Sequence, residues 1–213
     1  MRDAANIQAV EALGVNWMGF IFWPKSKRCC QEKPSYLPGM TDADPEQRTK
    51  RVGVFVNAEI GEVVEKYLEY KLDAIQLHGD EDRKYVFMLR GAIGALSEEQ
   101  FHPYQLIKAV SLQKTQDIEA KCESLVGFVD FFLFDTPSAG YGGTGTTFDW
   151  KLLDQYKYMT PFFLSGGIGL ETLPAVQAFE HPCCQGFDLN SRFETAPGIK
   201  DVSKLREFLV ALQ

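Results

Sequence analysis

Seven times along this chain a short run of apolar residues gives way to an amphipathic stretch. A strand that is apolar on both faces must be covered on both. A helix after each strand brings the chain back for a parallel neighbour, so the pattern predicts a parallel sheet clad in helices. The strands are expected at Trp17–Phe22, Arg51–Val56, Asp73–His78, Tyr104–Val110, Phe128–Asp135, Pro161–Gly167 and Cys184–Asn190. Helices are expected over Ile60–Tyr70, Asp82–Arg90, Thr115–Cys122, Trp150–Gln155, Leu170–Phe179 and Val202–Leu212. A further helix, Ala4–Leu13, leads the series, with Asp3 as its N-cap and Gly14 just past its end. No linker or low-complexity segment interrupts the units, so residues 1–213 are expected to form a single domain. A leading helix followed by seven strand–helix units predicts an α/β fold, a (β/α)₈ TIM barrel lacking its first strand in this chain. An open, doubly wound sheet is the rival, although no G-x-G-x-x-G fingerprint follows the first strand.

The formal net charge of −7 argues against a nucleic-acid partner, which demands a basic face. It leaves room for a small anionic substrate, because clustered backbone N–H groups hold phosphate on an acidic protein. No stretch reaches the ~18 apolar residues of a membrane span, and the first residues are charged and amphipathic without an apolar signal core. The cysteines, Cys29, Cys30, Cys122, Cys183 and Cys184, are odd in number and lack zinc-site spacing. They read as reduced thiols of a cytoplasmic protein.

On a barrel of this kind the chemistry sits at the C-terminal ends of the strands. That selects Arg28, Asn57, His78, Asp135, Ser165–Gly167 and Asp188–Ser191. Ser165-Gly166-Gly167 lies between a strand and a helix, where paired glycines let backbone N–H groups approach an oxyanion. One unit later Asn190 and Ser191 offer polar side chains at the start of a short helix, and the last two loops are where barrels often hold phosphate. The bland reading of Gly-Gly is a turn. Asp135 ends a strand of phenylalanines; a carboxyl at an apolar mouth should resist ionising and so donate a proton. A capping or paired aspartate is the equal alternative. The segment from Gly140 to Gly145, including Gly142 and Gly143, lacks the spacing and Lys-Ser/Thr of a Walker loop and reads as an active-site loop. Arg28 closes a basic loop and suits a carboxylate by bidentate pairing, against the alternative of a solvated charge run. His78 is at a strand end, where a lone histidine is more often structural than catalytic.

Taken together, GFIFWPKSKR (Gly19 to Arg28), RVGVFVN (Arg51 to Asn57), IQLHGDE (Ile75 to Glu81), LFDTPSAGYGGTGTTFDW (Leu133 to Trp150), FFLSGGI (Phe162 to Ile168), FDLNSRFE (Phe187 to Glu194) and APGIKD (Ala196 to Asp201) resemble the phosphoribosylanthranilate isomerase family. The resemblance implies a cofactor-free, metal-free Amadori rearrangement of N-(5-phosphoribosyl)anthranilate in tryptophan biosynthesis. It implies Asp135 as general acid toward the ribose ring oxygen and Arg28 at the anthranilate end. Gly142, Gly143, Gly166, Gly167, Asn190 and Ser191 would serve the phosphate end, with His78 lining the site. Two departures stand out. The family opens with a strand ending in K-x-CG, whose cysteine is the base, whereas this sequence reads Met1-Arg2-Asp3-Ala4 at the residues after that motif. Arg192-Phe193 stands where relatives carry a glycine and a small apolar residue. Without the thiol, turnover by this exact chain is expected to be very low. The rival expectations are another phosphate-binding barrel of the same pathway, such as indole-glycerol-phosphate synthase or tryptophan synthase α, or a non-catalytic binder of a phosphorylated ligand. A monomer is expected, with pairing through an exposed barrel edge as the alternative.

Overall fold

Hydrogen bonds join seven strands in chain order into one parallel sheet: β1 (Trp17–Ile21), β2 (Lys50–Phe55), β3 (Ala74–Leu77), β4 (Gln105–Ser111), β5 (Phe131–Asp135), β6 (Phe162–Ser165) and β7 (Cys184–Phe187). The computed structural model describes residues 1–39, 48–112, 116–135 and 150–212. The helices are α1 (Ala4–Glu11), α2 (Ile60–Tyr70), α3 (Arg83–Gly94), α4 (Gln116–Cys122), α5 (Leu173–Gln177) and, after the antiparallel pair β8 (Glu194–Ala196) and β9 (Ile199–Lys200), α6 (Val202–Leu212). Thr115, Gly142 and Gly143 lie outside the described residues, as does the rest of the glycine-rich loop.

Strand side chains alternate between two apolar layers, as a period of two requires. On one face Val52, Ala74, Ile107, Ala109 and Leu133 are buried together, with Trp17, Phe131 and Phe163 packed around them. On the other, Phe20, Ile75, Leu106, Phe132 and Leu164 meet helix residues such as Val63, Leu89 and Phe208. The first face is concave: the Trp17 ring of β1 lies 5.7 Å from that of Phe163 on β6 and 6.1 Å from that of Phe131 on β5. Side chains from strands so far apart in the sheet order meet only if the sheet curls round toward itself. Its two outer strands, β1 and β7, are not hydrogen-bonded to each other.

Local chemistry explains most boundaries. The Asp3 carboxylate accepts from the Asn6 N–H at 2.8 Å, so α1 starts at the residue expected to cap it; it ends earlier than expected, at Glu11 with Ala12 as C-cap, and the chain turns through Leu13 and Gly14 (φ 76°). The expected strand over Phe128–Asp135 is shorter at its front, because Gly127 (φ 78°) and the Val129 N–H to Leu125 carbonyl bond keep the chain in a turn. The stretch from Trp150 to Gln155 is a 3₁₀ helix rather than an α-helix. The helix expected over Leu170–Phe179 splits into a 3₁₀ turn, Leu170–Thr172, and α5, whose first turn holds Pro174. Proline cannot donate to the preceding turn, so the α-helical ladder begins there. The β8–β9 hairpin was not expected. Its turn is Pro197-Gly198, with Gly198 at φ 82°.

Candidate active site

The concave face opens at its C-terminal rim into a cavity of about 1160 Å³, larger than the ~300–1,000 Å³ of most small-molecule sites. Arg28, Gln76, His78, Asp135, Ser165, Gly166, Gly167, Asp188, Asn190, Ser191, Glu194 and Lys200 all line it. Val10 of α1 and Leu205 and Leu209 of α6 also line it.

Strand parity delivers the polar residues. In β5, Phe131 and Leu133 point to the concave face and Phe132 and Phe134 to the helices, so Asp135 points inward at the rim. In β3, Ala74 and Gln76 face inward, and His78 follows with the same parity. The two rims meet: His78 Nε2 lies 3.6 Å from Asp135 Oδ2. The Asp135 side chain keeps 37 % of its surface exposed. Among the described residues, it faces His78 across the cavity mouth.

Asp135 is also in register with Ser165, the last residue of β6. Gly166 (φ 89°) and Gly167 (φ 66°) follow at once in left-handed conformations that other residues adopt only under strain. The Ser165 hydroxyl donates to Asp188 Oδ2 at 3.0 Å, tying this turn to the segment after β7. Ser191 opens a 3₁₀ turn, Ser191–Phe193, with Asn190 preceding it. The Asn190 side-chain and main-chain oxygens accept from the Lys200 ammonium at 3.1 and 3.0 Å.

Arg28 reaches the cavity with its guanidinium already held. Nε donates to both Glu194 oxygens, at 2.9 and 2.8 Å, and Nη2 donates to Oε2 at 2.7 Å. These bonds push its pKa above the ordinary arginine range. Burial by itself would push the Glu194 carboxyl up, but the Arg28 hydrogen bonds and the Lys200 charge outweigh it and hold the group below the usual carboxylate range. Burial pushes the Lys200 ammonium down. Glu194 and Lys200 face each other across the β8–β9 pair. Neither was singled out as a site residue in the sequence; the available signal was the Pro-Gly turn that folds one back on the other.

Asn57, expected at the rim, is instead part of the scaffold beside it. It sits at φ 48°; its N–H donates to Glu81 and its side-chain oxygen accepts from the Asp80 N–H. Glu81 accepts also from the Gly79 N–H and from the Lys108 ammonium at 2.9 Å, and Lys108 donates further to the Leu77 and Gly79 carbonyls. The pair is almost wholly enclosed. Every bond in it pins the loop that follows His78.

None of the five cysteines lines the cavity. Cys30, Cys122 and Cys183 are buried in the layer between sheet and helices. Burial pushes the Cys122 thiol up to about 12. Among the described residues no cluster of histidine, cysteine or carboxylate is arranged to hold a metal ion, and no helix is long and apolar enough to cross a membrane.

The chain is similar to known proteins in sequence and fold. The family model for N-(5′-phosphoribosyl)anthranilate isomerase matches residues 1–211. A protein named N-(5′-phosphoribosyl)anthranilate isomerase from Parabacteroides distasonis is 46% identical over 210 residues, which is 98% of this chain and 89% of that protein. The crystal structure of phosphoribosyl anthranilate isomerase from Thermotoga maritima superposes with a TM-score of 0.75 at 26% identity, covering 100% of this chain and 95% of that one. A phosphoribosyl anthranilate isomerase solved in complex with reduced 1-(o-carboxyphenylamino)-1-deoxyribulose 5-phosphate has the same fold, at a TM-score of 0.71 and 24% identity, covering 100% of this chain and 98% of that one.

Proposed function

The chain belongs to the N-(5′-phosphoribosyl)anthranilate isomerase family, whose members are isomerases of tryptophan biosynthesis, and from that premise we propose how its residues share the reaction. The substrate is N-(5-phosphoribosyl)anthranilate and the product its 1-deoxyribulose 5-phosphate isomer. Asp135 gives a proton to the ribose ring oxygen, the C1′–O bond breaks, and a Schiff base forms with the anthranilate nitrogen. Loss of the C2′ proton to a base gives an enolamine, which tautomerises to the ketose. Arg28 meets the anthranilate carboxylate with the N–H groups that Glu194 leaves over. Gly166, Gly167, Asn190 and Ser191 hold the phosphate, together with Gly142 and Gly143 from the loop outside the described residues.

The observation that carries this reading is the register of β5 with β6. It sets Asp135 opposite Ser165, immediately before the paired glycines, so the acid and the anion turn share one rim. A substrate charged at both ends then spans the cavity from Arg28 to the glycines, with its ring beside the acid.

The curled sheet is proposed to be seven strands of an eight-stranded barrel in a single domain. The place of the eighth strand lies between β7 and β1, where the apolar faces of α1 and α6 line the cavity. A thiol base would arrive on that strand. The protein works as a cytoplasmic monomer, and the unpaired edges are where two chains would pair.

The test is to assay the 213-residue chain alone and with an added N-terminal strand ending in Lys-x-Cys-Gly. The expected outcome is slow turnover alone and faster turnover with the strand. Asp135→Asn should then lower the rate by on the order of 10²–10⁴ while a product analogue still binds. Binding of the analogue without turnover in either form would favour a non-catalytic ligand-binding role. Neither binding nor turnover would end the isomerase reading.

A further inference from the structure

Gln76 is one of the polar residues of the cavity to which the proposed reaction gives no part. It is 8 % exposed, on a strand position that faces the concave layer. Its side-chain nitrogen lies 2.8 Å from His78 Nδ1. An amide nitrogen can only donate, and a neutral imidazole has one donor and one acceptor nitrogen. With the amide assigned this way round, Nδ1 is the acceptor and the ring proton sits on Nε2. On the opposite side of the ring Nε2 faces the Asp135 carboxyl at 3.6 Å. The backbone of this segment is held as well. The His78 N–H donates to the Phe55 carbonyl, and Gly79 is fixed at both its N–H and its carbonyl by the Glu81–Lys108 pair.

We propose that Gln76 is a positioning residue that holds His78 as its Nε2–H tautomer, so that this N–H is presented to Asp135. The inference rests on the reading of Asp135 as the acid. An N–H aimed at the carboxyl stabilises the anion left once the proton has gone to the ring oxygen, which favours that transfer. A neutral ring also suits an acid that must first carry a proton, because a cation at this distance would favour the ionised carboxylate. With Gln76 donating to Nδ1, a second ring proton would point at the amide N–H. Gln76 thus acts on the reaction only through His78.

The tautomer can be read without substrate or turnover, by ¹⁵N–¹H correlation spectra of the ring nitrogens. The three histidines are assigned with His78→Gln, His102→Gln and His181→Gln variants. In the unsubstituted chain His78 should give the Nε2–H pattern. Gln76→Glu replaces the donor with an acceptor and should move the proton to Nδ1. Gln76→Met keeps the length without a hydrogen bond and should let the Nδ1–H form appear beside the other. An Nδ1–H ring in the unsubstituted chain would overturn the proposal. So would an unchanged ring in the folded variants. If Gln76→Glu does not fold, the unsubstituted spectrum and Gln76→Met decide. In the form bearing the added strand, Gln76→Met should lower kcat about tenfold and leave KM unchanged, whereas a general loss of structure would alter both. Failure of the isomerase reading would show as absent turnover with the tautomer pattern intact.

Discussion

Glu194 joins the two ends of the chain's site. It takes three hydrogen bonds from Arg28, one from the Gly198 N–H, and the nearby charge of Lys200 at 3.7 Å. Without it, two cations would face each other in a partly closed space. Glu194→Gln should cost ~1.5–3 kcal/mol at neutral pH, the usual worth of hydrogen bonds to a charged group. The sign of the pH dependence follows from the lowered folded pKa. The stabilisation is complete above the ordinary value of 4.5 and is lost as pH falls through the lower folded value. Thermal unfolding of both forms from pH 7 to 3 should show the gap between them narrowing below about pH 4.5. A gap that widened on acidification would contradict this account of Glu194. Asp135 and His78 show what single residues reveal in a sequence. Each marks a strand end and a rim position, but their separation of 3.6 Å depends on β3 and β5 converging across β4.

At the scale of elements, β2 illustrates how the helical layer governs a strand. Gly53 lies on the helix-facing side; a Cβ there would come within 2.4 Å of Leu72 and 2.8 Å of Phe55, both fully buried. Gly53→Ala should therefore destabilise by ~1–3 kcal/mol through overpacking, measured as a lower denaturant midpoint with an unchanged m-value. A neutral or stabilising effect would mean that Leu72 has room to move. The elements themselves were mostly legible, because an apolar run of strand length followed by a helical period leaves few alternatives. Ile60–Tyr70 and Val202–Leu212 are helices at the expected residues. The misses have local causes: a glycine turn ahead of β5, a proline in the first turn of α5, and a hairpin too short to carry a strand pattern.

Across the whole molecule, the sheet is most secure at its centre and least at its two ends. β3, β4 and β5 have strand neighbours on both sides; β1 and β7 have one each, the other side of β1 carrying only the Ile21–Cys29 bridge. Hydrogen exchange should reflect this, with central amides approaching the global unfolding limit and edge amides exchanging through local opening. Equal protection of β1, β4 and β7 would show that the edges are closed in solution. The cavity is lined both by the concave layer and by apolar residues of α1 and α6.

By itself the order of residues determined the α/β class, the strand and helix sequence, and a rim list containing Arg28, His78, Asp135, Gly166, Gly167, Asn190 and Ser191. Those follow from periodicity and from where strands end, which are local properties of the chain. Tertiary structure alone decided that Asn57 braces a loop beside Glu81, that Glu194 stands between Arg28 and Lys200, and that Gln76 faces His78. Each of those depends on a distance set by curvature or by a hairpin, and a linear pattern carries no record of either.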